Sequence, residues 1–144
     1  MANGKMMVAL RDADSVEDLV ILACQVSSGR KADVTALHVV EIPAATPMEA
    51  EGDVLDHPGK EILEHAKRFA SEHCSTQIST RLLRARQTGE AIVGELKEQS
   101  YDLLVMGYHR PHTLGEILLG STVQYVARHA PCRVIVDIPP PRRR

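Results

Sequence analysis

The chain has 144 residues, a formal charge of −2 and a pI near 6.4, so it lacks the basic face that a nucleic-acid partner requires. Hydrophobic residues make up 44% and charged residues 25%, the balance of a soluble globular protein and of one domain spanning 1–144. One Phe, three Tyr and no Trp demand an aliphatic core and leave few rings on which bases could stack.

In chain order, the start at Met1-Ala-Asn-Gly-Lys5 leads straight into an apolar run, Met6–Leu10, which predicts a first strand and no signal peptide. Asp14-Ser15 with Glu17-Asp18 is a helix-start signature, and Val16, Leu19, Val20, Ala23 and Val26 follow at helical spacing up to Gly29, a helix stop. Asp33–Val40 predicts strand two. Residues 41–57 carry Pro43, Pro47 and Gly52 with no period, a long connection of the kind that covers a site or moves freely. Pro58 suits a first helical turn, with Ile62, Leu63, Ala66, Phe69 and Ala70 as the apolar stripe behind it.

Gln77–Leu83 predicts strand three. Thr88 is placed to cap a third helix with Ala91, Ile92 and Leu96 inward. Leu103–Met106 predicts strand four, 121–129 a fourth helix and Arg133–Ile138 strand five, before Pro139-Pro-Pro141 and an Arg142-Arg143-Arg144 tail that is short but able to touch a membrane surface. Strands alternating with helices imply right-handed crossovers and a mostly parallel sheet covered on both faces. Cys24, Cys74 and Cys132 have no metal-type spacing; each reads as a small buried hydrophobe, and their odd number fits a reducing cytoplasm.

The segment most informative about function runs from Val105 to Thr122. A buried strand leads into a loop, and Gly120-Ser121-Thr122 opens a helix. Unpaired amides and the helix dipole favour an anion there, although the same triplet also serves as an ordinary cap. No Walker lysine, acidic pair or Ser-His-Asp order suggests an enzyme.

Residues 103–136 resemble the universal stress protein family, whose signature is G-x2-G-x9-G-[ST] followed by a helix and a last strand. Here the spacing runs Gly107, Arg110, Gly120, Ser121. His129-Ala-Pro-Cys-Arg-Val-Ile-Val136 is similar to the family's closing segment, and Leu37-His-Val-Val40 to its second strand. His38-Val-Val-Glu-Ile-Pro43 also resembles the branch fused to bacterial amino-acid transporters.

The resemblance implies an α/β fold, a flavodoxin-like three-layer sandwich around a five-stranded parallel sheet of order 3-2-1-4-5, dimeric through strand five. It further implies ATP or AMP as ligand, with adenine and ribose near the ends of strands one and two and phosphates on the glycine loop and following helix, and no structural metal. By position, the candidate nucleotide-binding residues are Ala9, Leu10, Arg11, Val39, Met106, Gly107, His109, Arg110, Gly120, Ser121 and Thr122. Arg11 stands where the family has an Asp, with Asp12 just after it, and Arg110 replaces the loop's second glycine. Either these arginines converge on an anion or they fill the pocket and leave a module that binds a protein partner, such as a transporter, without nucleotide. His109 and His112 are solvated loop residues or ligand contacts; His38 reads as structural.

Overall fold

The computed structural model describes residues 4–28, 32–50, 52–108 and 120–140. Gly29, His109, Arg110, His112 and the Arg142–Arg144 tail lie outside the described residues. Five strands form one parallel sheet: β1 (Gly4–Ala9), β2 (Ala32–Glu41), β3 (Ile78–Ala85), β4 (Leu103–Gly107) and β5 (Arg133–Asp137), in the order β3-β2-β1-β4-β5. Between them run α1 (Val16–Ser27), α2 (Asp53–His73), α3 (Thr88–Glu98) and α4 (Ser121–His129). This is the expected α/β sandwich.

The unbroken apolar runs have their physical reason in two cores of opposite parity. Met6, Val8, Val34, Ala36, Leu103 and Val105 face one side, packed by Val16, Leu19 and Val20 of α1 and Ile62, Leu63 and Ala66 of α2. Met7, Leu37, Leu104 and Met106 face the other, against Ile92, Val93 and Leu96 of α3 and Val123 and Val126 of α4. A strand buried on both faces needs apolar side chains at every position, because successive residues point to opposite sides.

Three local expectations are corrected. Pro58 is not in a first turn. The helix begins at Asp53 because Gly52, at φ 140°, turns the chain into it, which leaves Pro58 inside α2 without the amide that would bond the carbonyl four residues back. Helix one is preceded by a short 3-10 turn, Ala13–Ser15, in which the Ser15 hydroxyl donates back to the Asp12 carbonyl (3.1 Å). Thr88 does not cap α3. It is the first helical residue, and its amide instead donates to Glu41 Oε1 at 3.4 Å, so the acceptor comes from the end of β2.

The cysteine reading is also overturned for two of the three. Cys24 and Cys74 form a disulfide, because the final turns of α1 and α2 bring their Cα atoms to 6.1 Å. Only Cys132 is free. Burial first, and then the Asp102 carboxylate, push its thiol pKa up. Cysteine usage therefore no longer argues for a reducing compartment.

The long connection is also held in place. Ile42 is buried, and its amide donates to the Ala85 carbonyl (2.8 Å). Arg84 donates to the Ala50 carbonyl (2.7 Å) and forks onto Asp56 (3.0 and 2.6 Å), while Arg86 donates to the Thr46 carbonyl (2.6 Å) and to that of Pro43. The Arg84 hydrogen bond holds the Asp56 carboxyl below the usual carboxylate range, against an opposing effect of burial. Further along α2, Gly59 lies against the sheet, where a Cβ would come within 2.5 Å of His38 Cδ2 and 2.9 Å of Leu82 Cδ1.

Candidate functional site

The chain runs β1, β2, β3 outward in one direction and then crosses back to place β4 and β5 on the other side of β1. Beyond the carboxyl ends of β1 and β4 the connections therefore diverge, which leaves a crevice between them, the usual place for a ligand in such sheets. A cavity of about 380 Å³ opens at this point, within the size range of small-molecule sites.

Four elements bring the sequence-selected residues to it. Ala9, Leu10 and Arg11 come from the end of β1, Val39 from β2, Met106 and Gly107 from β4, and Gly120, Ser121 and Thr122 from the start of α4. These nine line the same cavity; His109 and Arg110 are outside the described residues. The floor is rigid. Leu10 continues the sheet by donating its amide to the Leu37 carbonyl (2.8 Å), and its own carbonyl accepts from His38 Nδ1 (2.8 Å), which gives His38 the structural role expected for it. On the other side the Tyr108 amide donates to the Asp137 carbonyl (2.9 Å) and extends the β4–β5 pairing past Gly107.

The two glycines differ. At Gly107 a Cβ would meet Leu19 Cδ1 at 3.1 Å, so this glycine lets β4 approach α1. At Gly120 a Cβ would meet nothing within 4 Å among the described residues, and the backbone (φ −63°, ψ 164°) is one that any residue adopts. Backbone geometry does not call for glycine there, nor does packing against the described residues, and its absent side chain leaves room at the amides of α4's first turn. That turn contains no acidic residue, whereas α1 has Glu17 and Asp18 and α3 has Glu90 in the same place. The positive end of α4 therefore faces the cavity with no acidic residue in its own first turn.

Several lining residues were not marked as site residues by the sequence: Ser15, Glu41, Thr88, Ile92 and Tyr108, beside Asp12, which stood out only as the acid next to Arg11. They reach the cavity from the turn before α1, the end of β2, the inner face of α3 and the end of β4, so only the topology reveals them. Among the described lining residues Arg11 is the one cation, set against the carboxylates of Asp12 and Glu41. No group of three or more metal-ligating side chains occurs among the described residues.

The family model of the universal stress protein family matches residues 3–137. The chain belongs to the universal stress protein family. A universal stress protein of Methanocaldococcus jannaschii is 33% identical over 111 residues, covering 73% of this chain and 64% of that protein, so the match spans less than two thirds of the relative's length. Among solved structures, the fold is similar to that of UspA from Lactobacillus plantarum (TM-score 0.71, 23% identity, 94% of this chain and 99% of that one). It is likewise similar to the universal stress protein of Archaeoglobus fulgidus in complex with dAMP (TM-score 0.73, 21% identity, 94% and 98%). Among the described residues no helix is long and apolar enough to cross a membrane.

Proposed function

We propose that this domain binds an adenine nucleotide in the crevice between β1 and β4 and acts as a ligand-responsive regulatory module that holds the nucleotide rather than processing it. The observation that carries the reading is the space that the described residues leave over Gly120 at the start of α4, whose first turn has no acidic residue, facing a cavity whose inner wall is the apolar set Ala9, Leu10, Val39 and Met106. The apolar wall suits a purine and ribose; the amides of 120–122 suit a phosphate. The complex of the Archaeoglobus relative with dAMP supports the same ligand class. Arg11, at the mouth, takes the role of anion partner in place of the family's Asp.

Mass spectrometry of protein purified at low dilution tests the proposal. Co-purified AMP, ATP or a cyclic nucleotide is the expected result. A ligand-free protein that also fails to bind added nucleotide favours the interaction module instead.

The reading includes a dimer through β5, whose outer edge has no partner strand among the described residues and carries half-buried Val134, Ile135 and Val136 beside exposed Ile138. An unpaired apolar edge invites an isologous strand pair about a two-fold axis. Light scattering should give twice the chain mass for the native protein and one chain mass for Val134→Pro, which removes a ladder donor. A native protein of one chain mass at micromolar concentration overturns it.

A further inference from the structure

A second cavity adjoins the first and shares four of its wall residues, Glu41, Thr88, Ser121 and Thr122. The two are therefore one groove, running from the apolar floor between β1 and β4 outward between the starts of α3 and α4. The outer compartment, at about 370 Å³, is as roomy as the inner one, so a chain of phosphates is not excluded from it by size. Charge distinguishes the two helix starts. At α3 the Glu41 carboxylate already occupies the anion position, accepting the Thr88 amide at 3.4 Å, and Glu90 adds a second carboxylate in the first turn. The first turn of α4 has no acidic residue of its own. Among the described residues, α3's start thus carries the protein's own anion and α4's first turn does not.

We infer that Glu41 is a specificity-determining residue that makes this groove favour nucleotides with a single phosphate over those with more. The inference rests on the nucleotide reading above and names the ligand class within it. A phosphate attached to a nucleoside seated against Ala9, Val39 and Met106 meets the amides of 120–122. A second and third phosphate, continuing outward, enter the compartment that Glu41 and Glu90 wall. Like charges at contact distance repel, and Arg11 is the one cation among the described lining residues to offset Asp12 and Glu41.

The experiment is a pair of calorimetric titrations, AMP and ATP, on the full chain in EDTA, so that no divalent cation bridges the carboxylates to the phosphates. They are repeated on Glu41→Gln, whose amide oxygen can still accept from Thr88. The native protein should bind ATP about tenfold more weakly than AMP, at the low end of what Coulomb repulsion between neighbouring surface charges produces. In Glu41→Gln the ATP-to-AMP ratio should shrink to within about threefold, and Glu90→Gln should shift it in the same direction by less. Equal affinities in the native protein, or a ratio that Glu41→Gln leaves unmoved, overturn the role of Glu41 while leaving nucleotide binding intact. Failure of both nucleotides to bind the native protein overturns the nucleotide reading itself, and this inference with it.

Discussion

Reduction of the Cys24–Cys74 bond should destabilise the domain by an amount set by the loop it closes. The two cysteines are separated by 50 residues, a segment that includes β2 and all of α2. Cross-linking removes loop-closure entropy from the unfolded chain, and for a loop of this length that amounts to about 14 cal/mol/K, or about 4 kcal/mol at 25 °C. The native ends are already adjacent, since α1 and α2 pack on the same face of the sheet against Val8, Val34 and Ala36. Reduction should therefore leave the fold in place and act mainly through the unfolded state. Urea unfolding followed by circular dichroism, with and without dithiothreitol, measures the difference. With a slope of about 2 kcal/mol/M, the midpoint should fall by about 2 M on reduction. The Cys24→Ser/Cys74→Ser double variant should unfold at the reduced midpoint whether or not reductant is present, while Cys132→Ser should respond as the native chain does. Thiol titration of the unfolded, unreduced chain should find only Cys132. Three reactive thiols there, or midpoints that coincide within about 0.5 M despite different thiol counts, would refute the reasoning.

Three other perturbations follow from single contacts. Gly59→Ala should cost about 1–3 kcal/mol by overpacking against His38 and Leu82, even though alanine is the better helix former; an unchanged urea midpoint would contradict the close approach. Arg84→Ala should speed hydrogen exchange at the Ala50 amide, and Arg86→Ala at that of Thr46. Because the Asp56 pKa is depressed in the folded protein, the Arg84–Asp56 contribution should be complete above the ordinary carboxylate value near ~4 and be lost as the pH falls through the lower folded value. Exchange at Ala50 that rises instead between neutrality and that value would contradict the sign. Arg81→Ala should cost about 1–3 kcal/mol, because it strips the ion-pair partner from Glu95, whose side chain is 1% exposed and whose other oxygen has no partner among the described residues. The cost should largely vanish when Glu95 is replaced by Leu at the same time.

The sheet was legible because its signal is local and redundant. The central strands are apolar runs at which both faces must be satisfied, and Leu104-Val105-Met106, or Val134-Ile135-Val136 at the edge, could hardly be anything else beside helices of helical period. The errors came where two weak preferences compete or where the partner is distant in sequence. Pro58 favours a first turn, but the positive φ of Gly52 starts the helix upstream, and the proline sits on a solvated part of α2 where a missing amide costs little. Cys24 and Cys74 have no tell-tale spacing, since their approach depends on how α1 and α2 leave the sheet. The connection after β2 looked irregular because its order is supplied by Arg84 and Arg86 at the far end of β3. The candidate site was half legible. Its family-type positions mark the ends of β1 and β4 and the start of α4, whereas Glu41 and Thr88 enter the groove only because β2 and α3 converge there.

The central claim, that the open start of α4 is where a nucleotide's phosphate sits, is tested most directly by calorimetric titration of AMP into the native protein and into Gly120→Val. A Cβ at 120 meets nothing within 4 Å among the described residues and needs no unusual backbone, so the variant should fold and unfold as the native domain does while filling the space above the amides. The account predicts saturable binding to the native protein and none to Gly120→Val. Equal affinity for both would contradict it.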